Sequence, residues 1–168
     1  MTEHVEHPLQ PVYNAQSRVL ILGTMPSPKS RAFGFYYAHP QNRFWRVLTE
    51  VFQQAFPTSI EEKTAFCLCN HIALWDVLQS CSIQGADDGS IREPVANDIA
   101  GLLQHTSIHT ICTTGTKASA LYKRLCLPIT GLPALALPST SPANCRHYTF
   151  ERLVEAYRKI PDLCSKDN

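Results

Sequence analysis

Residues 19–45 read VLILGTMPSPKSRAFGFYYAHPQNRFW, and this stretch decides how the chain folds. Residues 18–23 carry the pattern of a buried strand, a short apolar run that turns at Gly23. Residues 43–52 place apolar side chains at 44, 47, 48, 51 and 52, a helical period, so a helix is expected from Asn42 onward. Between them lies a long loop expected to lack secondary structure. Loops of that length inside a compact domain are uncommon and usually functional. This one holds Thr24, Ser27, Ser30, Tyr36, Tyr37, His39, Gln41 and Asn42, with no acidic residue. Hydroxyls, amides and aromatic faces without negative charge suit the holding of a flat, neutral, polar ring.

Outward from this stretch the pattern repeats. A helix is expected from a capping box at 58–61, TSIE, to about Cys67. Residues 71–77 form a second apolar run, and 80–93, polar with Gly85 and Gly89, read as a loop. Asn97 or Asp98 caps a short helix ending near His105. Residues 109–113 are a third strand, and Gly115 opens a helix to about Leu125. Residues 135–137 are a fourth strand closed by Pro138, and 149–160 are an amphipathic helix ended by Pro161. Alternating strands and helices predict a three-layer α/β/α domain on a central, mostly parallel four-stranded sheet. One domain is expected over 1–168, with a core at about 17–161 and frayed termini. In such sheets ligands bind beyond the carboxyl ends of the strands, so a site should assemble from loops 24–41, 78–93, 114–116 and 138–147.

Composition narrows the partners. The net charge is +1, so a nucleic acid would meet a local basic surface rather than a polycation. No apolar run approaches the ~20 residues that span a bilayer, and residues 1–16 lack a signal-peptide core, which predicts a cytosolic protein without membrane contact. The seven cysteines then read as reduced thiols. Cys67, Cys69 and His71 form a C-x-C-x-H cluster whose spacing is tighter than zinc sites use, and one buried strand face accounts for it, so no metal is expected. No P-loop, dinucleotide fingerprint or nucleophile elbow is present. Cys145 and His147 lie two apart in a loop with nothing to orient the histidine, which leaves a thiol hydrolase as a minor alternative.

GTMPS, YYAHPQNRFW and LPSTSPAN, in this order, resemble the uracil-DNA glycosylase superfamily, and more narrowly its DNA-deoxyinosine (hypoxanthine) glycosylase family. IALWDVL, SCS and NDIAGLL resemble the same family, and the likeness runs from about Val19 to Phe150. HPQNRFW is also similar to the mismatch-specific uracil/thymine glycosylases. The resemblance implies hydrolysis of the N-glycosidic bond of a deaminated base in DNA, without a lyase step, metal or organic cofactor, by a monomer of the cytosol or bacterial nucleoid. The base must leave the stack to be reached.

Residue by residue, many relatives place Asp or Asn where this chain has Met25, which cannot orient water, and the family instead uses the Asn of HPxN, here Asn42. On the residues alone Asn42 also fits a helix cap, and both roles can coexist. Tyr37 matches the aromatic that stacks on the flipped base; packing within the loop is the alternative. His39 is placed to meet a phosphate or the leaving base, or simply to turn the chain before Pro40. Thr24 and Ser27 offer donors. Ser139, Thr140 and Ser141 match the motif that clamps phosphates. Gly115, through its backbone N–H, and Lys117 would hold another phosphate. Asn144 and Arg146 follow where relatives insert a wedge into DNA. The asparagine that reads uracil in other branches falls near Leu74, which argues against strict uracil recognition. Two further departures bear on specificity. Thr114 stands where relatives often end the third strand in Asn, and His71 where they tend to have Gly. A uracil or G·U mismatch glycosylase, and a non-catalytic DNA- or nucleotide-binding domain, remain the alternatives.

Overall fold

The computed structural model describes residues 1–166. Its strands are β1 (Glu3–Glu6), β2 (Val19–Gly23), β3 (Ile72–Asp76), β4 (Leu78–Gln84), β5 (Asp87–Ala96), β6 (Thr110–Thr114) and β7 (Ala134–Leu137). Its helices are α1 (Pro28–Phe33), α2 (Phe44–Phe52), α3 (Ile60–Cys69), α4 (Ile99–Leu103), α5 (Thr116–Leu125), α6 (Leu127–Thr130), α7 (Phe150–Tyr157) and α8 (Ile160–Ser165).

The four-stranded sheet has the order β3-β2-β6-β7, parallel throughout. Strand β2 is buried along its whole length, because both faces of a parallel sheet are covered. Its period-two alternation sends Val19 and Ile21 into a core shared with α2, α3, α7 and α8. Leu20 and Leu22 point the other way, into a core shared with α4 and α5. The expected three-layer architecture is therefore what forms.

Two expectations are corrected outside that sheet. Residues 80–93 are not a loop: β4 and β5 form an antiparallel hairpin, and β1 adds a third strand to it. Val5, Leu78, Cys81, Ile83 and Ile91 bury against the α4/α5 side of the main sheet, which is the hydrophobic gain behind this second sheet. Nor is the N-terminus frayed. Beyond β1, Val12 exchanges backbone hydrogen bonds with Leu74 at 2.9 Å each way, and the Tyr36 hydroxyl donates to the Gln10 carbonyl at 2.7 Å.

Local signals explain most helix boundaries. Ser59 caps α3 by accepting the Glu62 N–H at 3.0 Å, one residue later than expected, and the helix runs two residues beyond Cys67. Asp98 caps α4 through the Gly101 N–H at 3.0 Å. Thr149 caps α7. Pro161 does not end that helix; it sits in the first turn of α8, where its missing N–H costs nothing. The long first loop is interrupted by α1, capped by Ser27 and closed by left-handed Gly34. Cys67 and Cys69 belong to α3 rather than to a strand, and among the described residues no group of His, Cys, Asp or Glu is placed to hold a metal.

Candidate active site

Beyond the carboxyl ends of β2, β3 and β6 lies a cavity of about 330 Å³. Its walls come from the loop after β2, the end of β3, the β4–β5 turn, the end of β6 and the loop after β7. Of the residues singled out from sequence, it brings together Thr24, Met25, Ser27, Tyr37, His39, Asn42, Thr114, Ser139, Thr140 and Ser141.

Asn42 sits just ahead of α2, and its side chain is fixed. Its Oδ1 accepts the Phe44 N–H at 2.9 Å and the Thr140 hydroxyl at 2.8 Å. The first contact satisfies an orphan donor of the helix start, although Arg43 occupies the cap position itself. The amide orientation follows, because only the oxygen can accept from a backbone N–H. Nδ2 makes no hydrogen bond to the described residues. Both Asn42 and Thr140 line the cavity, so Asn42 offers it two N–H donors from a locked amide.

Tyr37 lies against Phe44, ring centroids 3.7 Å apart and planes 13° from parallel. Its backbone is left-handed, φ 54°, an unusual state for a tyrosine; the neighbouring Ala38 N–H is held by Ser30 Oγ at 3.1 Å. Its hydroxyl reaches Thr114 Oγ1 at 3.4 Å. Burial first, and then the Asp76 carboxylate, push that hydroxyl well above its ordinary range, so it stays protonated. His39 accepts the Gln41 N–H on Nδ1 at 3.1 Å, which places its proton on Nε2.

Other side chains are committed to the loops themselves. Ser27 Oγ caps α1, and Ser141 Oγ accepts the Ala143 N–H at 3.3 Å. Ser139 Oγ accepts the Ser141 N–H at 3.1 Å. Asn144 donates its amide to the Ser139 carbonyl at 2.9 Å and so braces this loop, where a wedge had been expected. Arg146 is exposed. The Gly115 N–H is spent on the Leu137 carbonyl at 2.8 Å, so it does not face an anion. The unpaired donors at the start of α5 begin with Thr116, beside half-buried Lys117.

Leu74 does not line the cavity. It is fully buried in the core beneath α2 and α3. His71 also lies away from it, at the opposite end of β3, with φ 64°. That left-handed backbone accounts for a preference for glycine there without reference to substrate. Cys145 is exposed, and among the described residues no base pairs with its thiol. Burial pushes the Cys112 and Cys164 thiols up to about 12, so both remain inert core thiols.

Two acidic residues went unnoticed in the sequence. Asp76 ends β3 beside Gly23, is 4% exposed, and receives His7 Nε2 at 2.8 Å. Asp88, at the start of β5, also lines the cavity; desolvation raises its carboxyl, while the Thr24 hydroxyl and Lys117 pull it back. A charge set within an apolar run, as in IALWDVL, is the signal that would have marked Asp76.

The profile of the uracil DNA glycosylase superfamily matches residues 10–160. A hypoxanthine DNA glycosylase of Methanosarcina acetivorans is 35% identical over 137 residues, 80% of this chain and 85% of that protein. A hypoxanthine DNA glycosylase of Methanosarcina barkeri is 28% identical, over 81% of this chain and 86% of its own length. A solution NMR structure from Methanosarcina acetivorans, provisionally assigned as a uracil DNA glycosylase, superposes with a TM-score of 0.78 at 29% identity, covering 95% of this chain and 99% of that one. The cavity at the strand ends, the locked asparagine beside it and these likenesses lead to one conclusion: the chain belongs to the uracil DNA glycosylase superfamily.

Proposed function

We propose that this protein is a monofunctional DNA glycosylase that excises hypoxanthine from DNA and leaves an abasic site. The observation that carries the reading is Asn42, held by Phe44 and Thr140 with its Nδ2 donors left for the cavity. The hypoxanthine glycosylases of two Methanosarcina species support the choice of base.

The flipped nucleotide enters between the loop after β2 and the loop after β7. Tyr37, backed by Phe44, offers an aromatic surface for the base. The bond from C1′ to the base nitrogen breaks with its electron pair leaving on the base, and the sugar becomes oxocarbenium-like. A carbon that electrophilic needs an oriented water rather than a strong base. Asn42 Nδ2 donates to the water oxygen and aims its remaining lone pair at C1′. The water's proton passes to solvent or to the departing base. His39 Nε2–H is a donor for that base or a flanking phosphate. Ser139, Ser141, Thr116 and Lys117 grip the backbone, while Thr140 holds Asn42, and Arg146 reaches DNA from the exposed end of the loop after β7.

The test uses end-labelled duplexes carrying hypoxanthine, uracil, xanthine or an ethenoadduct, followed by alkali. Hypoxanthine is expected to be cleaved fastest under single-turnover conditions. Binding to these duplexes without any alkali-labile site would make the protein a binding domain and overturn the reading.

A further inference from the structure

Two carboxylates line the cavity without a part in the proposed chemistry, Asp76 and Asp88, and of these Asp76 is the one buried at the strand ends. We propose that Asp76, fixed by His7, is the group that reads the base, accepting the ring N–H that a deaminated base carries and its amino parent lacks. The inference rests on the proposed function and deepens it.

The floor of the cavity is built around this carboxylate. Gly23 and Asp76 are paired neighbours at the ends of β2 and β3. A Cβ on Gly23 would lie 2.5 Å from Asp76 Oδ1 and 3.3 Å from the Tyr37 hydroxyl. Any larger residue at 23 would therefore drive the carboxylate out of its place. Asp76 Oδ2 is taken by His7, while Oδ1 has no hydrogen-bond partner among the described residues. A carboxylate has about four lone-pair sites, so the oxygen left on the cavity can accept hydrogen bonds from a ligand seated there.

His7 sets the polarity. Its Nδ1 accepts the Leu9 N–H at 3.3 Å, so the ring proton sits on Nε2 and is donated to Asp76. The side chains of His7 and Asp76 are 2% and 6% exposed, which leaves neither room to turn. The free oxygen is thus a fixed acceptor.

Deamination inverts one position on the base edge. Adenine N1 is an acceptor, whereas hypoxanthine N1 carries a hydrogen; cytosine N3 and uracil N3 differ in the same way. A fixed carboxylate accepts from hypoxanthine or uracil and opposes the lone pair of adenine or cytosine, the parent each is formed from. Sites built to pair with a group on the substrate reject the analogue lacking it strongly, because the buried partner is left unpaired.

The Asp76→Asn variant is close to isosteric and makes a sharp test. His7 still donates, so the new carbonyl takes that bond and the new NH₂ faces the base. Single-turnover excision and binding are measured on duplexes containing hypoxanthine or adenine. Binding uses their uncleavable 2′-fluoroarabino forms, so that affinity is read apart from chemistry. On the proposal, excision of hypoxanthine falls on the order of 10²-fold. The preference for inosine over adenosine in the uncleavable duplex falls with it, which a merely structural role would not produce. If wild type excises hypoxanthine and the variant keeps both its rate and its preference, the proposal is overturned and the proposed function stands. If wild type excises none of the deaminated bases, both fall together. Should the variant melt, His7 decides. His7→Gln keeps a donor on Asp76 and should retain the preference; His7→Leu should lose it. Retention of the preference in His7→Leu overturns the proposal.

Discussion

Replacing Asn42 by alanine separates the capping contacts that the structure shows from the water-orienting role proposed for the same amide. The oxygen caps α2 through the Phe44 N–H and receives the Thr140 hydroxyl, which is 1% exposed. Loss of the cap should cost about 1 kcal/mol. Leaving a buried hydroxyl without its acceptor should cost about another 1 kcal/mol or more. Together these predict a fall in melting temperature of roughly 5 °C for a domain of this size. The catalytic cost is separate. Losing the donors that orient water should slow single-turnover excision on the order of 10²-fold, or about 2.7 kcal/mol in barrier. The assay pairs thermal melting with single-turnover excision of hypoxanthine well below the transition. Asn42→Asp is the control: its carboxylate keeps both acceptor contacts and should hold the melting temperature. It offers no donor to the water and sets negative charge against the departing base and the phosphates, so its rate should fall by at least about ten-fold. A lowered melting temperature with an unchanged rate in Asn42→Ala would leave Asn42 as a cap alone and refute the reasoning.

Other substitutions follow from particular contacts. His71→Gly relieves a left-handed residue and should stabilise the fold by about 1 kcal/mol, measured by denaturant titration, with no change in excision. Thr114→Asn puts an amide beside the Tyr37 hydroxyl and should shift the ratio of hypoxanthine to uracil excision; an unchanged ratio removes Thr114 from the base site. Lys117→Ala should weaken binding to lesion and intact duplex alike, with a shallower salt dependence, if it meets a phosphate. Asp88 has a carboxyl raised by desolvation, so its protonated form is favoured in the folded protein. Stability should therefore fall as pH rises from the ordinary carboxylate range, about 4, through its raised value, and Asp88→Asn should flatten that part of the melting profile.

The parallel sheet was legible because its strands are buried on both faces and read as unbroken apolar runs. Helix starts were legible where a side chain caps them, as at Asp98 and Thr149. The β4–β5 hairpin was not. Its outer face is polar, and irregular registers along 78–84 break the alternation that marks a half-buried strand. Strand β1 is four residues long with one buried side chain, too little for a pattern; only its partner β4 makes it a strand. Asp76 was passed over, although it stands two residues beyond Leu74. Leu74 and Asp76 share a face of β3, since side chains alternate along a strand. Along that face the core ends and the cavity begins between them, and where a strand stops being covered is a property of the packed helices. His7 was invisible for a plainer reason. Its partner lies 69 residues away, and no local pattern marks such a pair.

These two kinds of residue divide the cavity. Its rim is made of loop segments with recognisable motifs, HPQN and PSTS, whose side chains are locked by neighbours close by, as Asn42 is by Phe44. Its floor is made of strand ends, Gly23, Asp76 and Thr114, set side by side by parallel register. On the proposed reading the rim acts chiefly on the sugar, the phosphates and the departing charge, which every base shares. The floor is then left to meet the base edge, the part that differs. Rim substitutions should therefore slow excision of all bases by similar factors, whereas floor substitutions should change the ratio between bases. Gly23→Ala makes the sharpest case, because its new methyl group would press on Asp76 Oδ1 while leaving the Asn42–Thr140 contact untouched. A uniform loss across bases in that variant would place the recognition elsewhere than on the floor.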